Sequence, residues 1–201
     1  MKIHTISTKD LESILTYPAC IDVVEHAMVE TSQGNVSLPL RNGMPIPNGK
    51  GVLGMMYGYL GEPESFGIKL VSLFPGNAPG LSSHMGLLVL YEAEQGKPLA
   101  IMDGSIITAI RTAAASAVAT RLLSRKQSST LAIIGSGEQA EAHIHAIPCV
   151  REIDTIKIWG RTKAKVEQLV EKCKPPRNVE FVICDSVQAA VKNADIICTV
   201  T

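Results

Sequence analysis

The chain has 201 residues, 46% of them hydrophobic and 19% charged, which suits one large or two small globular domains with a real core. Nineteen basic residues offset nineteen acidic ones, which excludes the electrostatic footprint of a protein built to bind nucleic acid or an anionic membrane. Aromatic residues make up only 4%, leaving little to stack on exposed bases.

The first half reads as follows. Polar sequence follows Met1-Lys2-Ile3-His4 directly, so no secretory signal is expected. Thr8 to about Glu30 reads as helix broken at Pro18, with Ile21, Val24, Ala27 and Met28 on one face. From Leu38 to Leu99 the pattern turns to short strands punctuated by Gly and Pro. Gly51–Tyr59, Gly67–Phe74 and Met85–Tyr91 are the best strand candidates, and Glu94-Gln95-Gly96-Lys97 is a hairpin turn. Ile106 to Leu123 is a long Ala-rich helix. The wider apolar stretch from Ile101 carries Asp103, Arg111 and Arg121, which argues against a membrane span.

The second half alternates strand and helix. Leu131–Ile134, Thr155–Trp159, Val179–Cys184 and Asp195–Val200 are the strands. Helices run from Glu138 to about Ile147, ended by Pro148, and from Lys163 to Cys173, stopped by Pro175-Pro176. A short one is capped by Ser186. The alternation implies a parallel sheet with right-handed crossovers. The expected class is α/β: a Rossmann-type parallel sheet of four strands, preceded by an α+β domain, with domains at 1–120 and 121–201. A full sheet of this type has six strands, so the chain reads as cut short. Cys20, Cys149, Cys173, Cys184 and Cys198 show no CxxC spacing. They read as buried small hydrophobes in a reducing compartment, and the cytoplasm is the expected location.

The strongest motif is Gly135-x-Gly137-x-x-Ala140, between an apolar strand and a helix. Gly135 allows a tight turn, Gly137 lets backbone approach a pyrophosphate, and the helix N-terminus offers free N–H groups. The plain alternative is a βα turn that needed two glycines. An NAD-selective fold ends its second strand on an acid that binds the ribose. Here the strand ends Trp159-Gly160-Arg161-Thr162, with no acid. Arg161 suits a 2′-phosphate and Thr162 offers a hydroxyl, which favours NADP(H), with NAD(H) possible. Otherwise Arg161 is a solvated residue and Thr162 a helix N-cap.

Three cations stand in apolar surroundings. Arg111 lies within Thr108–Ala115, flanked by small residues. Close packing there calls for a partner: a substrate carboxylate, a cofactor phosphate or an internal salt bridge. Lys69 sits in an otherwise apolar strand, and Arg41 follows Leu38-Pro39-Leu40. Each taken alone reads as an edge residue pointing to water; the three together favour a carboxylate site. The histidines say less. His143 and His145 face different sides of a helix, and His4 and His26 lack evident partners. Ser83 and His84, as strand neighbours, should point to opposite faces, which argues against a dyad. Nothing has metal-site spacing.

Gly67–Val71, Ser83-His84, Met102-Asp103-Gly104, Thr108–Ala114, Gly135–Ala140 and Trp159–Thr162 together resemble the ornithine cyclodeaminase and mu-crystallin family of nicotinamide-dependent enzymes. The similarity runs over essentially the whole chain. The resemblance implies a homodimer, with substrate binding and dimerisation in the first domain and NAD(P) in the second. It implies that Arg41, Lys69 and Arg111 hold the carboxylate of a small imino or amino acid. Lys69 is then the catalytic residue that polarises or protonates the nitrogen. Ser83, His84, Arg111 and Thr112 then lie near nicotinamide and phosphates, Gly135, Gly137, Glu138 and Gln139 at the phosphate turn, Gly160, Arg161 and Thr162 at the 2′-phosphate, and Thr201 beside the cofactor.

Two departures from the family pattern stand out. Ornithine cyclodeaminases carry a glutamate where this chain has Gly54, so a cationic side-chain substrate loses its counter-charge. The family's catalytic aspartate falls beyond Thr201, and neither Asp103 nor Asp195 can take its role. The expected activity is therefore reduction of the C=N bond of cyclic imino acids, or the related amino-acid dehydrogenation. The alternatives are a lyase converting ornithine to proline with NAD, and an inactive fragment or small-ligand binder.

Overall fold

A computed structural model of the chain describes residues 2–78, 80–175 and 178–201. The chain forms two compact units: Met1–Leu15 with His26–Thr108, and Thr16–Glu25 with Ala109–Thr201. The boundary expected near residue 120 lies farther along helix α3 (Gly104–Leu123), which starts in the first unit and continues into the second.

The first unit is a mixed seven-stranded sheet. Strand β1 (His4–Ile6) lies parallel to β7 (Pro98–Asp103), followed in order by β6 (His84–Tyr91), β5 (Ser65–Leu73), β4 (Gly51–Leu60) and β2 (Val36–Ser37). Strand β3 (Asn42–Ile46) also pairs with β4. The three expected strands are β4, β5 and β6. The β6–β7 turn closes where expected, with Glu92 N–H donating to the Lys97 carbonyl at 2.9 Å. Helix α1 (Thr8–Ile14) begins in a capping box between Ser7 and Asp10. Helix α2 (Tyr17–Gln33) starts after a break at Leu15–Thr16, with Pro18 in its first turn, where the missing N–H costs nothing. Ile21 is buried and Val24 and Ala27 half-buried as expected, whereas Met28 is exposed, because the buried stripe runs through Cys20 and Ile21.

The second unit carries a four-stranded, all-parallel sheet in the order β10 (Glu180–Ile183), β9 (Thr155–Trp159), β8 (Thr130–Ile134), β11 (Ile196–Thr199). Helices α4 (Glu138–Ala146), α5 (Lys163–Lys172) and α6 (Val187–Val191) connect the strands. Pro148 falls in a 3-10 turn that ends α4, and Pro176 lies outside the described residues. Strand β8 is paired on both sides and covered on both faces. Its continuous apolar run follows from that, and Leu131, Ala132 and Ile133 have no exposed surface.

Helix α3, twenty residues long and apolar, has the length and composition of a membrane span. Its surroundings are those of a core helix. Ala113, Ala114 and Ala117 are fully buried. Arg121 near its end pairs with Asp22 at 2.9 Å and with Glu25. The Arg151 guanidinium donates to the carbonyls of Arg121 and Ser124, at 2.8 and 3.1 Å, and so caps the helix C-terminus.

Candidate functional site

Strand β8 lies between β9 and β11, so its C-terminal end is the point where strand order reverses and ligands of such sheets bind. The glycine turn stands there. Gly135 has φ +144, and its N–H donates to the Trp159 carbonyl at 2.8 Å. Gly137 is the N-cap of α4, and no side chain caps that end of the helix. A Cβ at Gly137 would meet nothing within 4 Å. Gln139, in the same first turn, holds a buried Oε1 with no hydrogen-bond partner. An uncapped helix N-terminus and open space at the second glycine fit a dinucleotide pyrophosphate, while the orphaned Gln139 oxygen can only accept and suits a donor such as a ribose hydroxyl. Glu138 is exposed on this turn.

The end of β9 is held against this turn. A Cβ on Gly160 would stand 2.9 Å from Val166 Cγ2 and 3.1 Å from Ser136 Cβ, so a larger residue would push the two segments apart. Arg161 and Thr162 are exposed. Thr162 occupies the N-cap of α5, but its hydroxyl makes no capping bond, which leaves it open to a ligand. Lys163 and Lys165 are exposed in the next turn. Sequence reasoning missed these two lysines, although their spacing from Arg161 signals a small cationic cluster. Thr199 is in register with Ile134, so Thr199 to Thr201 lie at the same end of the sheet as the glycine turn. Asp195 stands at the opposite end. It accepts the N–H groups of Ser129 and Thr130 at 3.0 and 3.1 Å and pairs with Arg125 at 2.5 Å. Its role there is structural.

Arg111 is exposed, against the expectation of close packing. The buried stripe of α3 follows Ala109, Ile110, Ala113, Ala114 and Ala117, and Arg111 falls off it. Among the described residues no internal salt bridge holds it. Thr112 is half-buried beside it.

In the first unit Lys69 is half-buried on β5, a strand paired on both sides, which overturns the edge reading. Its Nζ donates to the Thr108 hydroxyl at 3.3 Å. Register pairs Lys69 with Met56 and Val71 with Gly54, so Gly54 lies on the face of the sheet that carries Lys69. A Cβ at Gly54 would come no nearer than 3.6 Å to any atom, which leaves room for a side chain. Arg41 is exposed just before β3, which pairs with β4, so its guanidinium is open both to water and to a ligand.

Ser83 and His84 do touch: Ser83 Oγ lies 3.0 Å from His84 Nδ1. Ser83 stands in a bend before β6, so strand alternation does not apply to it. His84 is exposed, and among the described residues no third group is bonded to its Nε2, so the pair lacks the orienting partner of a nucleophilic dyad. His26 also has a partner, its Nε2 lying 2.6 Å from the Glu62 carbonyl oxygen. Among the described residues there is no metal-binding cluster. All five thiols are free. Cys20, Cys173 and Cys198 are buried as expected and Cys184 half-buried, while Cys149 is exposed. Burial pushes the thiols of Cys173 and Cys198 up to about 11, making them poor nucleophiles.

The model of the ornithine cyclodeaminase/mu-crystallin family matches residues 3–201. The chain belongs to that family. The ketimine reductase mu-crystallin of Macropus fuliginosus is 37% identical over 172 residues, covering 85% of this chain and 54% of the relative. The structure of Thermococcus litoralis Delta(1)-pyrroline-2-carboxylate reductase, in complex with NADH and L-proline, superimposes with a TM-score of 0.92. It is 33% identical over 98% of this chain and 61% of that one. An archaeal alanine dehydrogenase dimer with bound NAD gives a TM-score of 0.90 at 29% identity, over 100% of this chain and 61% of that one. The chain thus spans 54 to 61% of the length of these relatives. Within the family, the four parallel strands and glycine turn described above are the Rossmann-type part, and the mixed sheet bearing Lys69 is the first domain.

Proposed function

We propose that the protein is an NADP(H)-favouring oxidoreductase that reduces the C=N bond of cyclic imino acids such as pyrroline-2-carboxylate, or runs the related amino-acid dehydrogenation. The observation that carries this reading is Gly54 on the face of Lys69. Lys69 offers an ammonium to the reacting nitrogen, and the open, uncharged position beside it offers no counter-ion to a side-chain amine. That argues for a substrate without a charged side chain, and against ornithine. The names of the mu-crystallin and pyrroline-2-carboxylate reductase relatives point the same way.

A bound reduced nicotinamide supplies the hydride that reaches the imine carbon. The chain's own residues bind, orient and move a proton. Lys69 polarises the nitrogen and gives it a proton as the carbon is reduced. In the first unit Arg41 supplies a guanidinium for the carboxylate, and its exposure leaves the fork open. The glycine turn takes the pyrophosphate. Exposed Arg161, with Lys163, Lys165 and the uncapping hydroxyl of Thr162, supports a 2′-phosphate and hence NADP(H).

A homodimer belongs to the same proposal. Leu40, 91% exposed, together with Leu38, Met44, Leu81 and Leu87, gives the first unit apolar surface that a second copy would cover. The test is NADPH and NADH oxidation with pyrroline-2-carboxylate and piperideine-2-carboxylate, with mass measured by light scattering. Turnover of these imines supports the reading. Ammonia release from ornithine without imine reduction overturns it.

A further inference from the structure

We propose that His143 is a positioning residue for dinucleotide binding, a clamp that holds the phosphate turn of α4 in register with the segment of α3 bearing Arg111 and Thr112. The inference rests on the dinucleotide-binding reading above and concerns the second unit alone.

His143 is 3% exposed, and both of its ring nitrogens are engaged. Nδ1 lies 2.7 Å from the carbonyl oxygen of Gln139. A carbonyl can only accept, so Nδ1 carries the proton. Desolvation lowers the ring's affinity for a second proton. Nε2 is therefore a bare acceptor, and the Ser116 hydroxyl donates to it at 2.9 Å. Both hydrogen bonds are partly buried, and the tautomer is fixed by the backbone.

The partners of this ring give it its role. Gln139 belongs to the first turn of α4, beside Gly137, and its own Oε1 is buried and unpartnered. Ser116 lies four residues beyond Thr112 and five beyond Arg111 on α3. One imidazole thus bridges the turn that meets the phosphates and the helix turn that carries a cation and a hydroxyl. A histidine that merely filled the core would need neither partner in particular. Here a lost contact lets two ligand-facing segments slide against each other, an error that binding energy must then correct.

The test uses the full 201-residue chain and measures NADPH and NADH binding by fluorescence, alongside thermal midpoints. Ser116→Ala and His143→Leu should each weaken dinucleotide binding by about tenfold, the value of one hydrogen bond. His143→Gln, whose amide oxygen can accept from Ser116, should recover binding to within about threefold of wild type. The double variant Ser116→Ala with His143→Leu should bind no worse than His143→Leu alone, as for two ends of one interaction. Wild-type affinity in folded Ser116→Ala and His143→Leu overturns the inference while leaving the proposed function intact. If His143→Leu fails to fold, Ser116→Ala, which removes a single oxygen, decides. A wild-type chain that binds neither nucleotide overturns the proposed function and this inference together.

Discussion

Gly135 and Val200 approach more closely than any side chain allows: a Cβ on residue 135 would stand 2.9 Å from the Val200 carbonyl carbon. With φ at +144, an alanine there carries backbone strain as well as the clash. Gly135→Ala should cost about 1–3 kcal/mol of stability. Gly137→Ala makes the opposite case. It meets nothing in the protein, so stability should stay within about 0.5 kcal/mol while nucleotide affinity falls, because the methyl occupies the space a phosphate needs. Denaturant titration and fluorescence binding on the two variants separate the effects. Equal behaviour of the two would count against the assignment of the turn.

Arg161 should select the cofactor. It is exposed, so Arg161→Ala should leave the thermal midpoint unchanged. NADPH affinity should fall about tenfold or more and NADH affinity should not. Parallel loss of both nucleotides would show that Arg161 does not read the 2′-phosphate.

Lys69→Met keeps most of the length of the side chain and removes its charge. Imine reduction should drop at least about a hundredfold in kcat/KM with nucleotide affinity retained. Steady-state kinetics and direct binding on one preparation check both halves of that statement.

Gly54→Glu places a carboxylate on the Lys69 face at a position with room for it. The variant should fold, lose about tenfold in kcat/KM on pyrroline-2-carboxylate, and gain ground on substrates with a second, cationic nitrogen. Unchanged preference across such a panel would separate Gly54 from specificity.

Acid should weaken the fold in two separate windows. Burial holds His143 below the ordinary histidine value of 6.5, and His145 as well, where Lys172 adds to the lowering and Glu141 opposes it. Below pH 6.5 the unfolded chain takes up protons that these folded rings refuse, so stability falls with pH until the lowered values are passed. Asp195 acts later. The N–H groups of Ser129 and Thr130, then Arg125, hold its carboxyl below the usual 3.8, so its contribution is present above that value and is lost as pH falls through the lower one. Urea midpoints from pH 8 to pH 3 should show a first decline beginning near 6.5, shallower in His143→Gln.

The parallel half was legible because its signals are local. Strand β8 is an unbroken apolar run that ends in glycine, and α4, α5 and α6 follow strands of ordinary length. Strand β3 hid because Asn42-Gly43-Met44-Pro45-Ile46 has little β propensity; among the described residues it pairs with β4 alone, and such an edge strand tolerates its proline. Lys69 drew attention through its charge, but its interior place came from pairings with β4 and β6 that a single sequence does not reveal. Arg111 misled through its alanine neighbours, since burial follows the helical stripe and not chain proximity. His143 carries no local signal, because its partner is a serine 27 residues away.

Helix α2 gives its N-terminal half to the second unit and the rest to the first. Cys20 and Ile21 are buried there, and Asp22 and Glu25 meet Arg121. The parallel unit is therefore discontinuous in the chain. During synthesis, residues 16–25 emerge long before the surface they cover, and must wait for α3 and the strands after it. A polypeptide starting at Ala109 would contain every strand of that unit, yet would lack its strap and leave Arg121 without counter-ions. No single cut frees both units whole.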